Sequence, residues 1–481
     1  MVFSSYLFLL GFLPLVLLVA GLLSRGPGRY SLPIRFLVLA SLVYFGWWDP
    51  RYLILLGGSI LFNFHLGRYL AASAFAATGP AGRSWLALGI AANLLALGYF
   101  KYCGFFLEVV SSVSPMEITS PDIALPLAIS FFTFQQIAFL TDSARGGVSP
   151  HTFTEYSLFV CFFPQLIAGP IVHHAEVLPQ IRKNRSASGL DIREGLVLFL
   201  LGLGKKILIA DTLAPHADRV FDHAALGVGT LDAWVGTLAY TGQLYFDFSG
   251  YSDMALGLGL LFGIRLPVNF NSPYKAVDII DFWRRWHITL SRFLRDYLYI
   301  PLGGNRRGRP RRYVNLMITM ILGGLWHGAG WTFVFFGILH GLYLCVNHAW
   351  RALRGGGRDH ESPWGEWSAR LLTFAAVAVG FVFFRAGSFG EAIRVLQGLV
   401  GVGDFQNSSS GILGVAAAFL CLSAMVLPNS NETANWVREK SAADGPRAIW
   451  ASYGIPVGLA ALLVASLMFV SRGQVFLYYQ F

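Results

Sequence analysis

Runs of about 20 apolar residues, the length that spans a hydrocarbon layer, recur along this chain from end to end. That recurrence constrains its fold more than any other feature. A bilayer admits only segments that satisfy their own backbone polar groups, so a chain patterned this way folds as membrane helices. Candidate spans lie near 3–23, 33–48, 52–71, 84–113, 123–140, 155–171, 191–210, 231–248, 252–264, 313–326, 330–349, 369–386, 411–427 and 447–470. The 84–113 range has room for two pieces. Those near 155–171, 252–264 and 313–326 are too short to cross and read as re-entrant or tilted pieces, stable only where protein buries the freed backbone groups. Only 13% of the 481 residues are charged, against about 25% in soluble domains. The expectation is a single polytopic all-α domain, 1–481, with no separate soluble domain.

The charge balance fits a membrane topology. Thirty-six Lys and Arg oppose 26 Asp and Glu, and the basic residues sit between apolar runs, as cytoplasmic loops of membrane proteins do. Nucleic acid is not implied. The N-terminal run lacks a basic n-region and is followed by Arg25, Arg29 and Arg35, which predicts an uncleaved first helix with its N-terminus outside. The four cysteines, Cys103, Cys161, Cys345 and Cys421, have no zinc or disulfide spacing and read as small apolar residues. No metal site is expected: "HH" at 173–174 lacks the companion histidine clusters of a di-iron enzyme. The glycine-rich segment around Gly257 and the "LGLGK" at 201–205 lack the GK[ST] of a phosphate loop. No internal repeat supports a duplicated transporter.

Two histidines stand out in "GGLWHGAGWTFVFFGILHG", 323–341. Ionisable groups at membrane depth are costly and mark sites or pathways, and a neutral imidazole is the form a general base needs. His327 has glycines on both sides that permit a helix break. His340 follows thirteen residues later, about 220° around an unbroken helix, so a shared site requires a break at 328–330. Without one, His340 is a hydrogen-bonding fixture.

The segment 271–312 carries nine arginines between Arg284 and Arg312. If 276–300 is one helix, Arg284, His287, Ser291 and Arg295 share a face, and Asp281–Arg285 and Arg292–Asp296 pair at i,i+4. The other face holds Phe282, Trp286, Phe293 and Tyr297. The whole reads as an amphipathic helix at the cytoplasmic interface. Its arginines suit the phosphates of an anionic donor, although a basic helix of this kind is also an ordinary lipid-facing surface. In "FDFSGYSDMALGLGLLFG", 246–263, Asp247 or Asp253 can orient a histidine or substrate hydroxyl, and at least one is expected to cap a helix.

"FFPQLIAGPI" (162–171), "YFDFSGYSDMALGLGLLFGI" (245–264), "DFWRRWHITLSRFLRDYLYIPLGGNRRG" (281–308) and "GGLWHGAGWTFVFFGILHG" (323–341) together resemble the membrane-bound O-acyltransferase family. The nearest likeness is to its bacterial branch that O-acetylates alginate, with peptidoglycan and teichoic acid enzymes as relatives. "FVFFRA" (381–386) and "FLYYQF" (476–481) extend the likeness over nearly the whole chain. The resemblance implies about eleven transmembrane helices plus re-entrant and amphipathic helices around a central tunnel, with a catalytic core at about 123–349. It carries the family's two signature histidines onto His287 and His327, the latter as catalytic base. His340, Asn315 and Asp253 are supporting candidates, Asn315 as an oxyanion donor. Arg284, Arg295 and Trp286 are candidates for binding the donor.

The resemblance implies no tightly bound cofactor. Acetyl-CoA or another acyl thioester serves as donor on the cytoplasmic side. The implied partners are a polysaccharide acceptor, periplasmic or membrane acetyltransferase proteins and the bilayer, here a bacterial inner membrane. Peptidoglycan, cellulose and other envelope glycans are the alternative acceptors. A transporter and an export-complex scaffold are the non-enzyme alternatives.

Overall fold

The structure is a computed structural model that describes residues 1–24, 31–72, 80–114, 121, 123–167, 169–183, 187–355, 362–402, 419–441, 446–470 and 477. Among these residues every regular element is helical, as the apolar runs predict. Residues 411–418 of the 411–427 span, Arg25, Arg29 and nearly all of the 476–481 tail lie outside the described residues.

In chain order the helices are α1 (Leu13–Leu23), α2 (Ser31–Gly46), α3 (Tyr52–Ala72), α4 (Pro80–Leu97), α5 (Cys103–Val113), α6 (Ile129–Ala144), α7 (Phe153–Cys161), α8 (Phe163–Leu166), α9 (His174–Lys183) and α10 (Gly189–Gly204). Then follow α11 (Asp211–Phe221), α12 (Thr230–Leu261), α13 (Ile279–Arg285), α14 (Ile288–Leu294), α15 (Arg309–His327), α16 (Trp331–Leu353), α17 (Pro363–Arg385), α18 (Phe389–Leu399), α19 (Ser430–Ser441) and α20 (Pro446–Phe469). Four described helices are long and apolar enough to cross a bilayer: Tyr52–Ala72, Gly82–Val113, Trp331–Leu353 and Pro363–Arg385. Their outer faces expose residues such as Ile54 and Leu95, a pattern that suits lipid tails rather than water.

The chain forms two compact units. The first comprises Met1–Leu200, Tyr251–Pro267 and Val437–Leu459. Here α6 packs against α3 and α4, and α7 against α2 and α9. Buried polar side chains pair across these helices, as hydrogen bonds must be satisfied internally at membrane depth. Asn63 and Asn93 exchange amide hydrogen bonds of 3.2 and 2.7 Å, and Tyr156 donates to Gln136 at 2.8 Å. The short α7 and α8 are almost wholly buried, which fits the re-entrant reading of 155–171.

The second unit comprises Leu201–Gly250, Val268–Trp436 and Ala460–Phe481. Its centre is the α15–α16 hairpin, against which α13 and α17 pack. The turn residues Gly328 and Gly330 are extended, with φ of −157° and −169°, so the break required between His327 and His340 is present. The two helices touch through glycine. A Cβ on Gly324 would lie 2.3 Å from the Phe333 carbonyl oxygen and 2.9 Å from Gly337 Cα. Because Gly341 meets Met317 while Gly337 meets Met320, the helices run antiparallel. The Arg309 end and the Leu353 end therefore face the same side.

Two expectations are corrected. The spans 231–248 and 252–264 are one 32-residue helix, α12. Its glycines serve close packing rather than a break: a Cβ on Gly257 would lie 2.5 Å from the Gly195 carbonyl oxygen. Asp247 and Asp253 consequently lie inside a helix and neither caps one. The 276–300 helix is also interrupted, with α13 ending at Arg285 and α14 starting at Ile288.

Candidate active site

The interruption between α13 and α14 positions His287. Asp278 caps α13 by accepting from Asp281 N at 2.9 Å, and the expected Asp281–Arg285 pair is made at 3.0 Å. Trp286 then leaves the helix, and His287 adopts a left-handed conformation with φ 43°. Such a backbone is uncommon for a residue with a side chain and concentrates at functional sites. The turn sends the imidazole inward, where it is fully buried.

Asn269 fixes that ring. Its Oδ1 accepts from Thr289 N at 3.3 Å and from Thr289 Oγ1 at 2.9 Å. Because a backbone N–H can only donate, the atom is the amide oxygen, and His287 Nδ1, 3.1 Å away, must be the N–H that donates to it. A neutral imidazole then carries its lone pair on Nε2. Burial pushes His287 down to about 3, so that lone pair is present throughout the physiological range. The Phe248 ring stands edge-on to the imidazole at 4.8 Å, an apolar wall beside it.

His327, the last residue of α15, is brought to the same place by the hairpin. The two imidazoles lie 6.3 Å apart, centroid to centroid. Trp326 contacts both rings, at 5.0 Å from His327 and 5.9 Å from His287. Phe384 of α17 closes on His327 at 5.2 Å. The arrangement offers two buried imidazoles and an indole N–H within one apolar enclosure.

His340 is linked to this cluster only through Phe336, whose ring is 6.1 Å from His327 and 4.4 Å from His340. Trp283 Nε1 donates to His340 Nδ1 at 3.3 Å, which puts the proton on Nε2 in the neutral ring. A Cβ on Gly380 would lie 2.7 Å from that nitrogen, so α17 seals it. This environment suits a structural hydrogen bond. Asn315 donates to the Gly304 carbonyl at 2.9 Å and ties α15 to the preceding turn.

The arginines are not on a common face with His287. Arg284 and Arg295 are exposed, and Arg295 pairs with its neighbour Asp296 at 2.7 Å. Trp286 is buried, stacked on Phe282 at 5.6 Å and close to Phe381 at 5.3 Å. Asp253 is buried on α12 in the first unit. Asp247 accepts from Leu477 N at 2.9 Å and pairs with the buried Lys206 at 2.9 Å. The sequence reading missed Asn269 and Trp283, which have no local signature and act from distant positions in the chain.

Among the described residues, Asp142, His173 and His174 form a set whose ligand atoms lie within 4.8 Å of one another. Both Nε2 atoms approach Asp142 Oδ2, at 2.8 and 3.0 Å. His173 Nδ1 accepts from Ala175 N at 3.2 Å, so its Nε2 carries a proton. A metal would need that lone pair. For His173 the contact is an imidazole N–H held by the Asp142 carboxylate.

Residues 94–356, more than half of the chain, match the membrane-bound O-acyltransferase family. The chain is 45% identical to a peptidoglycan O-acetyltransferase of Helicobacter pylori over 431 residues, covering 84% of this chain and 80% of the relative. It is 39% identical to a protein of Pseudomonas putida named probable alginate O-acetylase, over the full length of both. A teichoic acid D-alanyltransferase of Streptococcus thermophilus is 29% identical over 280 residues, 54% of this chain and 68% of the relative. The chain is a multi-pass membrane acyltransferase and belongs to the membrane-bound O-acyltransferase family.

Proposed function

We propose that this protein moves an acetyl group from a thioester at the cytoplasmic face, acetyl-CoA or a carrier-bound equivalent, to hydroxyls of an exported polysaccharide such as alginate. The observation that carries the reading is the buried His287–His327 pair, 6.3 Å apart, beside an indole N–H. The proposed setting is a bacterial inner membrane, with periplasmic or membrane acetyltransferases completing delivery. No tightly bound cofactor is required. Exposed Arg284 and Arg295 are the proposed contacts for donor phosphates.

In this proposal, His327 takes the proton of the attacking hydroxyl as general base. The hydroxyl oxygen forms a bond to the thioester carbonyl carbon, and the carbonyl oxygen gains negative charge. Trp326 Nε1–H is the proposed donor to that oxygen. Collapse breaks the carbon–sulfur bond, and the leaving thiolate takes the proton from His327, giving an O-ester, a free thiol and a neutral imidazole. His287, with Nε2 as acceptor, orients the hydroxyl or takes over the proton.

Peptidoglycan is the second reading, favoured by the 45% identity to the Helicobacter pylori enzyme. Membranes carrying the protein and its partners, given labelled acetyl-CoA, separate the two acceptors. The proposal expects alkali-labile label on uronate oligosaccharides. Label confined to peptidoglycan fragments would replace it with the second reading.

A further inference from the structure

A groove of about 680 Å³ lies in the second unit between the C-terminal half of α16 and the N-terminal half of α17, with Asp278 and Ile279 on its third side. Its rim is apolar and open: Val346 is 68% exposed and Leu372 73%. In a helix that crosses a bilayer, such residues face lipid tails.

One end of the groove differs from the rest. Arg351 pairs with Asp278, which leaves that pair neutral. Arg354 is exposed, with its guanidinium carbon 4.3 Å from the centre of the Trp350 ring, and among the described residues no carboxylate lies within ion-pair distance of it. Arg284 and Arg312 add positive charge around His348, one turn earlier on α16. Asn347 Oδ1 is buried in the groove wall and has no hydrogen-bond partner among the described residues. A buried acceptor of this kind calls for a partner. Trp350, Trp364 and Trp367 are exposed near this end, as tryptophans are at the level of lipid headgroups. Because α15 and α16 are antiparallel, this end lies on the same side as the arginine-rich turn before α15. By the positive-inside rule that side is cytoplasmic, where the leaflet is anionic.

We propose that this groove is a binding site for one anionic phospholipid of the cytoplasmic leaflet. The phosphate sits against Arg354 and the indole of Trp350. A headgroup hydroxyl donates to Asn347 Oδ1, and an acyl chain fills the groove along Val346 and Leu372. A headgroup bearing hydroxyls, as in phosphatidylglycerol, satisfies both polar features, whereas phosphatidylcholine, whose phosphate charge is offset by its own quaternary ammonium, is drawn less to Arg354 and has no hydroxyl for Asn347. The site is separate from the histidine pair and does not depend on which acceptor is acetylated.

Native mass spectrometry of the intact, detergent-solubilised protein tests the site, with phosphatidylglycerol and phosphatidylcholine supplied at equal concentration. The wild type is expected to retain phosphatidylglycerol preferentially. Arg354→Gln, at an exposed position, should lower that retention about five-fold, the effect of one basic side chain near an anionic surface, and leave phosphatidylcholine unchanged. Ala376→Phe should reduce both lipids by filling the groove. Equal retention of the two lipids by the wild type, or phosphatidylglycerol retention that Arg354→Gln leaves intact, would overturn the proposal. Displacement of the lipid by millimolar inorganic phosphate or coenzyme A would also overturn it, assigning the arginine to a soluble phosphate instead.

Discussion

His287 Nδ1 lies 3.1 Å from Asn269 Oδ1, and that one hydrogen bond determines which nitrogen of the neutral imidazole carries the proton. Asn269 is itself held by Thr289 through two hydrogen bonds, so the ring orientation is set by a small buried network. The consequence is a neutral ring with its lone pair on Nε2, its centroid 6.3 Å from that of His327.

Asn269→Leu removes the acceptor while keeping the volume. The expected outcome is a fall in kcat of about 10²–10⁴-fold, the usual contribution of a positioned acid–base group, with KM for the donor little changed. Asn269→Asp places a carboxylate beside the ring and favours the imidazolium. Its activity should therefore acquire a steep loss on the acidic side of the pH profile that the wild type lacks. Steady-state rates across pH 5–9 check both. An unchanged profile in Asn269→Asp would remove Asn269 from the positioning role.

A second expectation concerns pH and stability. Burial lowers His287 to about 3, below the ordinary value of about 6.5 for an unfolded chain. Between those values the unfolded state binds the extra proton, so stability is fully present above about pH 6.5 and is lost as pH falls toward 3. The loss from this group is at most about 1.4 kcal/mol per pH unit. His287→Gln should be less stable than the wild type at pH 7.5 but lose less on acidification. Thermal unfolding in detergent at pH 7.5, 6 and 4.5 measures this, and parallel curves for the two proteins would contradict it.

The α15–α16 crossing supplies a third. Gly324→Ala puts a methyl 2.3 Å from the Phe333 carbonyl oxygen, where backbone rather than a mobile side chain must give way. Overpacking of this kind costs about 1–3 kcal/mol. The variant should unfold at lower temperature and lose activity, because the hairpin is what brings His327 beside His287. Gly458→Ala, whose methyl would meet nothing within 4 Å, is the matched control and should behave as wild type.

How far the sequence speaks can be seen in these same residues. The apolar runs gave the all-α class, and the glycines at 328 and 330 pointed to the break that separates His327 from the next helix. The family motifs led to His287 and His327. Helical periodicity failed at His287, because the left-handed turn falls on a histidine in a stretch whose spacing is otherwise helical, and spacing carries no sign of φ. Asn269 was invisible because its partner lies eighteen residues on in the chain and the contact exists only after the loop before α13 folds back. At least one of Asp247 and Asp253 was expected to cap a helix, but both lie inside α12, which runs unbroken through its glycine. In this membrane helix it is a contact surface.

The central claim is that acyl transfer takes place at the His287–His327 pair. The most direct test is release of free thiol from labelled acetyl-CoA by purified protein, comparing wild type with His327→Ala and with Gly458→Ala, with folding matched by thermal unfolding and donor binding measured separately. The account predicts release by the wild type and the control, and loss of about 10²-fold or more in His327→Ala with donor still bound. A folded His327→Ala that binds donor and releases thiol at the wild-type rate would contradict it.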